Sequence, residues 1–329
     1  MGSSMKSVVT GGAGFIGSHL VDTLVAEGDE VTVIDNLSTG EYAHIKELVD
    51  TGSIGLFRKD LLADGWQDSF EGVSRVFHLA ADPDVRASSV SPEQVYRENV
   101  TATLRVLEAM RHSGVRDLIF TSTSTVYGEA SVIPTPEDYA PMEPISVYGG
   151  TKLACEAMIS SYAHTYGMKT WVFRFANIIG SRSNHGVIWD FIHKLRENPG
   201  ELEILGDGRQ TKSYLSVDAC IDALLYAVAH SDLPFNVFNI GSEDWIDVRS
   251  IARILVDEMK LSGVKFRYTG GDRGWKGDVP RMLLSVDKLK SLGWRPFTGS
   301  EESVRKAARE LIADIYGGER GGALKQDRG

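Results

Sequence analysis

The run "VVTGGAGFIGSHL", residues 8–20, restricts the fold more than any other stretch of the chain. A β-branched strand leads into a glycine-rich turn, and the apolar pattern after it has helical spacing. Gly12, Gly14 and Gly17 satisfy GxGxxG, while Gly11, Gly14 and Gly17 satisfy GxxGxxG. Glycines at these places let backbone amides and a helix N-terminus approach a pyrophosphate that side chains would hold off. A glycine-rich match alone is weak, because tight structural turns use the same residues. An acid at the end of the next β-branched run, "EVTVID", strengthens it: Asp35 lies 18 residues past Gly17 (35 − 17). A carboxylate there is placed to bind the ribose hydroxyls of an adenosine. It would repel a 2'-phosphate, and "DNLSTG" puts no Arg behind it. The nucleotide predicted is therefore NAD rather than NADP.

The same alternation continues along the first half. Candidate strands are "KSVVT", "EVTVID", "GLFRKD", "RVFHLAA", "DLIFTST" and "KTWVFRF", and between two of them Val100, Leu104, Leu107 and Met110 recur at helical spacing. Strand and helix in turn predict an α/β fold, a Rossmann-type doubly wound parallel sheet. Ligands of such sheets bind at the carboxyl ends of the strands, at the topological switch point. After about residue 180 the alternation gives way to the loops "GSRSNHG", "GDGRQTKS" and "GGDRGWKGDVPR", which predict a smaller C-terminal mixed α/β substrate domain. "NVFNIG" (236–241) reads as a strand returning to the main sheet. The expected bounds are 5–180 with 214–242 for the NAD-binding domain, and 181–213 with 243–318 for the substrate domain. "MGSS" is expected to be an added leader, and the Gly-rich, charged segment 319–329 a disordered tail.

Composition removes several classes of partner. The formal net charge is -10 with no dense basic stretch, which argues against nucleic acid and anionic membrane. No apolar run approaches the roughly 20 residues that span a bilayer, and the N-terminus lacks a signal-peptide core. Cys155 and Cys220 have no metal-ligand spacing around them. They read as small buried hydrophobes in a reducing, cytoplasmic protein. His185, in "SRSNHGVIWDF", has no second His or Cys at ligand spacing, so it reads as a hydrogen-bonding or surface residue and no metal is predicted.

Two further stretches carry chemistry. "VYGGTKLACEAMISSY" places Tyr148 and Lys152 at i and i+4, on one helix face. A neighbouring Lys cation favours the phenolate, which lets a Tyr act as a base well below its ordinary range. Tyr42 and Lys46 repeat the spacing, but read as an exposed helix face. Gly149 and Gly150 follow Tyr148 inside a helical pattern, which costs helix stability. They imply a close approach to that backbone or an unusual helix start. Upstream, "TSTSTVYG" (121–128) crowds hydroxyls against the end of the preceding strand.

With these markers in order, the chain resembles the extended short-chain dehydrogenase/reductase family, and more narrowly its UDP-glucose 4-epimerase-like nucleotide-sugar epimerases. The resemblance runs from "VVTGGAGFIGSHL" to "LGWRP". It implies cofactor contacts at Gly11, Gly14, Phe15, Ile16, Gly17 and Asp35, and at Asn36, Ser38 and Gly40 of "DNLSTG". It adds Asp60 and Leu61, then Leu79, Ala80 and Ala81 of "HLAA", Asn99 of "ENV", and Tyr148 and Lys152. Catalysis would fall to Thr123, Tyr148 and Lys152, with Thr123 in the place of the hydroxyl that bonds the reacting sugar oxygen. "RFANIIG" is similar to the family's RxxNxxG, whose Asn, here Asn177, touches the nucleotide sugar. The implied substrate contacts are Arg86, Ser124, Asn177, Lys212, Arg273 and Asp278, the last three of them in the expected nucleotide-sugar-binding domain.

There are departures. Lys212 stands where the family has an Arg that holds phosphate, keeping the charge but losing the bidentate fork. Trp275 occupies the Arg position of an Arg-two-residues-Asp pattern ending at Asp278, leaving Arg273 or Lys276 to reach the diphosphate. Met282 takes the place of a sugar-size gatekeeper, and its flexible thioether leaves N-acetyl sugars open. Arg86, in "DPDVRASS", reads equally as a ligand for a sugar hydroxyl or carboxylate and as a surface Arg at a helix start.

The resemblance implies an isomerase with tightly bound NAD that inverts C4 of a UDP-hexose through a 4-keto sugar. Tyr148 would take the 4-hydroxyl proton, and Lys152 would bind the nicotinamide ribose and lower the Tyr pKa. UDP-glucose and UDP-galactose are the expected pair, within galactose metabolism, with UDP-N-acetylglucosamine and UDP-glucuronate as alternatives. A dehydratase or decarboxylase (a lyase) would start with the same oxidation. Such members tend to carry Asp-Glu or Ser-Glu directly after the catalytic Thr, whereas Ser124 and Thr125 stand here, and neither serves as acid or base. A non-catalytic NAD-binding regulator on the same fold is opposed by the intact Tyr and Lys. The family is usually dimeric, so a homodimer is expected. The Val100–Leu104–Leu107 helix and the Tyr148 helix offer a seam, although packing on the sheet explains the same pattern.

Overall fold

In the computed structural model, residues 4–275 and 277–326 are described, the last ten for their backbone alone. Each β-branched or aromatic run becomes a strand: β1 (Lys6–Thr10), β2 (Glu30–Asp35), β3 (Ile54–Arg58), β4 (Arg75–His78), β5 (Asp117–Thr123) and β6 (Lys169–Phe175). With Phe235–Ile240 they form one seven-stranded sheet, in the order Phe235–Ile240, β6, β5, β4, β1, β2, β3. Every pairing is parallel. The order reverses between β1 and β4, and that crevice is the switch point. Val8, Val9, Val76, Phe77, Leu118, Ile119, Val172 and Phe173 are completely buried. Burial on both faces explains why these strands read as continuous apolar runs rather than as alternations. Two strands are shorter than expected, ending at Arg58 and His78. After His78 the Ala80 amide turns to the Thr10 hydroxyl (3.3 Å), which takes the chain off the sheet.

Around this sheet lie α1 (Phe15–Ala26), α2 (Lys46–Asp50), α3 (Pro92–Tyr96), a π-helical turn over Arg97–Thr101, α4 (Ala102–Ser113) and α5 (Val147–Tyr166). Glycines in the left-handed conformation, Gly114 and Gly167, close α4 and α5. Val100, Val106, Leu107 and Met110 pack with Leu118, Phe120 and Val172 of the sheet and with Cys155 and Ile159 of α5. Leu104 is only partly buried. Both cysteines are buried.

The chain divides into two compact units. The first comprises Met1–Phe175, Ile221–Ile240 and Ser285–Arg295. The second comprises Ala176–Cys220, Gly241–Leu284 and Pro296–Gly329. In the second unit β7 (Asn177–Ile179) pairs with β10 (Tyr214–Ser216), and β8 (Glu201–Ile204) with a later strand, Lys265–Tyr268. β9 (Thr211–Lys212) lies between β12 (Ile246–Asp247) and β14 (Arg281–Met282). In chain order Phe235–Ile240 is β11 and Lys265–Tyr268 is β13. Helices α6 (Val187–Glu197), α8 (Val248–Glu258) and α10 (Ser300–Gln326) enclose a core that includes Phe191, Ile192, Leu202, Ile204, Ile251, Leu255, Val304 and Leu311. Helix α7 (Val217–His230) crosses from the second unit to the first, and α9 (Asp287–Ser291) lies in the first.

These bounds differ from the expected ones at residues 176–180, 214–220, 241–242 and 285–295. Residues 176–180 and 214–220 fall in the second unit because β7 and β10 pair with each other rather than with the main sheet. Residues 285–295 fall in the first because Ser285 and Leu292 are tied there: Asn239 donates to the Ser285 carbonyl (3.0 Å) and Tyr226 to that of Leu292 (2.9 Å). α10 continues to Gln326, into the Gly-rich segment for which disorder is expected, and residues 327–329 lie outside the described ones. Among the described residues no helix is long and apolar enough to cross a membrane.

Candidate active site

The glycine turn is held closed by its neighbours. Gly11 has a positive φ of 71°, and a Cβ there would stand 2.7 Å from the Ala80 nitrogen. A Cβ on Gly17 would stand 2.1 Å from the Gly11 carbonyl oxygen. Only glycine lets α1 start so close to β1. Gly14 is the N-cap of α1 and supplies no side-chain cap, and no acid occupies the first turn. The amides of that turn, including those of Phe15 and Ile16, are therefore left for an anionic ligand. One Asp35 oxygen accepts the Ala13 amide (2.9 Å) and the other the Leu37 amide (2.8 Å). The carboxylate thus ties the end of β2 to the turn. Gly40 packs on Ala13, where a Cβ would come within 2.9 Å of the carbonyl carbon. Asn36 accepts the Ser38 amide (3.0 Å) and donates to Asp60 (3.4 Å), with Leu61 buried next to it. All of these predicted cofactor positions lie at the carboxyl ends of β1, β2 and β3.

"HLAA" falls beside the turn. Leu79 donates its amide to the Thr10 carbonyl (3.1 Å), which places Leu79, Ala80 and Ala81 along Gly11. His78 is fully buried between the hydroxyls of Thr10 (2.7 Å) and Thr103 (3.0 Å). Burial, with a smaller contribution from the Lys152 charge, pushes its pKa down to about 3, so it is a neutral hydrogen-bonding link. Asn99 lies in the π-helical turn. Its side chain accepts from the Asp82 amide (2.8 Å) and donates to Thr151 on α5 (3.0 Å). Arg86 is exposed at the start of a short 3-10 turn, Ala87–Ser89, its amide bonded to Asp84 (2.8 Å).

The hydroxyl run ends β5. Thr123 is its last residue, and Ser124–Tyr127 make a 3-10 turn. The Thr123 oxygen accepts the Thr125 amide (3.1 Å) and so caps that turn. Helix α5 opens with Ser146 as N-cap, accepting the Gly149 amide (3.1 Å). Gly149 and Gly150 therefore sit in the first turn rather than in a helix interior. A Cβ on Gly149 would stand 2.8 Å from the Thr125 carbonyl oxygen, so the close approach inferred from the sequence is to the hydroxyl run itself. Gly150 faces open space.

Tyr148 and Lys152 occupy successive turns of α5, as their spacing predicts. The Lys152 ammonium is buried, donating to the Thr121 carbonyl (2.9 Å) and lying over the Phe120 ring (4.6 Å). Burial lowers its pKa to about 8, against smaller opposing effects of Cys155 and Glu156. The Tyr148 hydroxyl is pushed up, first by burial and then by Cys155 and Asp82, while a hydrogen bond with Thr123 acts the other way. Its direction is opposite to that expected beside a Lys cation, because burial outweighs the Thr123 hydrogen bond. Tyr42 and Lys46 lie on two elements, a 3-10 turn and α2, and both bond Asp50 at the surface.

In the second unit Lys212 on β9 donates to Asp278 (2.5 Å) and lies over the Trp275 ring (5.2 Å). Arg273 donates to the Asp278 carbonyl (3.0 Å), and the Gly274 amide to its carboxylate (2.9 Å). Lys212, Arg273 and Asp278 are thus one cluster, with Met282 the register partner of Lys212. Lys276 lies outside the described residues. Asn177 donates to the Ser213 carbonyl (3.0 Å), and exposed His185 bonds Asn184 (3.1 Å).

Residues 7–241 match the model of the NAD dependent epimerase/dehydratase family. The chain belongs to this family. A putative UDP-glucose 4-epimerase from Methanocaldococcus jannaschii is 33% identical over 304 residues, covering 91% of this chain and 96% of the relative. The crystal structure of a UDP-galactose 4-epimerase is 45% identical with a TM-score of 0.85, covering 94% of this chain and all (100%) of that one. A UDP-glucuronic acid 4-epimerase mutant from Bacillus cereus, in complex with a fluorinated UDP-glucuronic acid and NAD, is 28% identical with a TM-score of 0.86, over 95% and 100% of the two chains. The uncapped α1 terminus, the glycines with no room for a Cβ and the carboxylate of Asp35 fit the NAD on which the family depends.

One group was missed by sequence reasoning. Glu156 and Arg174 are buried and form an ion pair (2.7 Å) directly behind the hydroxyl run. Arg174 opens the "RFANIIG" run, but its pairing with Glu156 depends on the packing of α5 against β6, which no local pattern signals.

Proposed function

We propose that this family member is a UDP-hexose 4-epimerase, with UDP-glucose and UDP-galactose as its substrate pair. The observation that carries the reading is the end of β5 against α5. Thr123, Tyr148 and Lys152 converge there, and the residues after Thr123 are hydroxyls with no carboxylate among them. An eliminating enzyme needs an acid or base beside C5 and C6, and neither Ser124 nor Thr125 can be one. The identities to relatives named as UDP-glucose and UDP-galactose 4-epimerases support the same choice.

NAD, bound by the glycine turn, Asp35, Asn99 and the "HLAA" segment, supplies a reversible hydride acceptor and donor. The protein's own residues handle the proton. Tyr148 takes it from the sugar 4-hydroxyl and returns it. Its hydroxyl is held high by burial, so proton transfer depends on stabilisation of the phenolate by Thr123 and by a cation. Lys152, titrating near 8, supplies that cation at neutral pH. Thr123 orients the reacting oxygen, with Ser124 beside it. Asn177, Lys212, Arg273 and Asp278 hold the nucleotide and diphosphate. Arg86, exposed after β4, is the remaining substrate contact of the proposal. A homodimer, a cytoplasmic setting and a place in galactose metabolism complete the proposal.

The test is to incubate the purified protein, without added NAD, with UDP-glucose, UDP-N-acetylglucosamine and UDP-glucuronate. UDP-glucose labelled with deuterium at C4 should give UDP-galactose with the label retained. Epimerisation of only an N-acetyl or acidic sugar would move the substrate assignment. A 4-keto-6-deoxy sugar or a pentose as product would make the enzyme a lyase, and loss of the label would remove the hydride mechanism.

A further inference from the structure

Glu156 lies on α5 one turn beyond Lys152 and two beyond Tyr148, and no role assigned so far uses it. Its side chain is buried, and Arg174 of β6 clamps it. The guanidinium Nε donates to both carboxylate oxygens (3.2 Å each), and Nη2 donates to Oε2 (2.7 Å). Ser122 donates its hydroxyl to Oε1. Ser122 and Arg174 are register partners in the parallel β5–β6 pair, so the sheet itself delivers both to α5. The other end of the guanidinium donates to the Tyr127 hydroxyl (2.8 Å) and the Glu137 carbonyl (2.9 Å). Tyr127 in turn donates to Asn239 on β11 (2.8 Å). The residue before Thr123 and the residue that ends its 3-10 turn are thereby both tied to one ion pair.

Stability alone gives little reason for such a pair. Desolvating two charges consumes most of their attraction, and apolar residues of similar volume often serve as well. What the pair provides is a fixed geometry and a fixed charge. We propose that Glu156, fixed by Arg174, is a positioning residue: it holds the Thr123 end of β5 against α5 and, one helical turn from Lys152, sets a negative charge on the same helix face as that ammonium. The proposal rests on the epimerase reading for its effect on turnover, but not for its effect on Lys152.

The groups around Lys152 are few. From α5 itself come Tyr148, Cys155 and Glu156. β4 contributes neutral His78, and Asp82 follows that strand, acting on Tyr148. β5 offers the Thr121 carbonyl and the Phe120 ring, and the charge on β6, Arg174, is engaged by Glu156. Of these, Cys155 and Glu156 act to keep the proton on Lys152, against burial. Glu156→Gln preserves the shape and the Ser122 contact but removes the charge.

The experiment uses the full chain with its bound NAD and compares wild type, Glu156→Gln, Ser122→Ala and the double variant Glu156→Met/Arg174→Met. Two quantities are read: kcat and KM for UDP-glucose, and the Lys152 titration by NMR, assigned by its loss in Lys152→Met. Glu156→Gln should lower kcat by about tenfold or more, with KM and NAD content changed less than about threefold, and lower the Lys152 midpoint by about one pH unit. Ser122→Ala should lower kcat and leave the midpoint in place. The double variant should fold with a near-normal unfolding midpoint yet fail to recover kcat. An unmoved Lys152 midpoint in Glu156→Gln overturns the proposal, and so does a double variant whose kcat returns with its stability. If wild type turns over none of the UDP-sugars, the epimerase reading fails, and the Lys152 titration still decides this one.

Discussion

Lys152→Met should give a protein that is more stable than the wild type and has no turnover. The buried ammonium holds its proton with a pKa of about 8, against an ordinary 10.5, with burial as the main cause. The difference of about 2.5 units (10.5 − 8) corresponds to about 3 kcal/mol at 1.36 kcal/mol per unit. The sign follows from proton linkage. Between about pH 8 and 10.5 the unfolded chain carries the proton and the folded protein does not, so stability rises with pH across that window. Below pH 8 both states are protonated and the whole penalty stands. Methionine has a similar length and no charge to bury. Against this, the variant loses the bond to the Thr121 carbonyl (2.9 Å) and the contact over Phe120 (4.6 Å). Those contacts are worth about 1–2 kcal/mol together. The variant should therefore be about 1–2 kcal/mol more stable at pH 7, the gap closing above pH 8 and reversing at about pH 9. Urea unfolding of both nucleotide-free proteins across this pH range measures it. A variant less stable at pH 7, or a gap that ignores pH, would refute the reasoning.

Two other substitutions probe the nucleotide cradle and the hydroxyl run. Gly17→Ala puts a methyl 2.1 Å from the Gly11 carbonyl oxygen. It should cost about 1–3 kcal/mol in thermal unfolding and release NAD, seen as nucleotide lost on desalting. Thr123→Val keeps the volume but removes the oxygen that bonds Thr125 and Tyr148. Turnover should fall about a hundredfold with NAD still bound, and unchanged turnover would move the role to Ser124.

What could be read in advance is what is local. The glycine turn and Asp35 were legible because a few consecutive residues set the geometry a pyrophosphate and a ribose demand. The strands were legible because burial on both faces leaves continuous apolar runs. Tyr148 and Lys152 were legible because one helix fixes their spacing. The rest depends on tertiary neighbours. That Ser122 faces Glu156 follows from the register that sets Ser122 opposite Arg174, which only the folded sheet defines. The π-helical turn that carries Asn99 has no residue signature, and its carbonyl accepts from Thr103 (2.6 Å) and Cys155 (3.4 Å). The direction of the Tyr148 shift was read wrongly because spacing reports a neighbour's charge but not burial. Ser285–Arg295 joined the first unit through hydrogen bonds to a strand and a helix far away in sequence.

Asp35 bears on how this enzyme could be redesigned. Exchanging an acid at this position is the obvious route toward a phosphorylated dinucleotide. Here each of its oxygens also accepts a backbone amide, and Ala13, one of the two donors, is completely buried. Removing the carboxylate would strand that donor away from water, at about 1–3 kcal/mol, inside the loop that must hold the pyrophosphate. Cofactor choice and loop integrity are therefore one variable in this protein. An engineer would have to give Ala13 a new acceptor before changing which dinucleotide the crevice prefers.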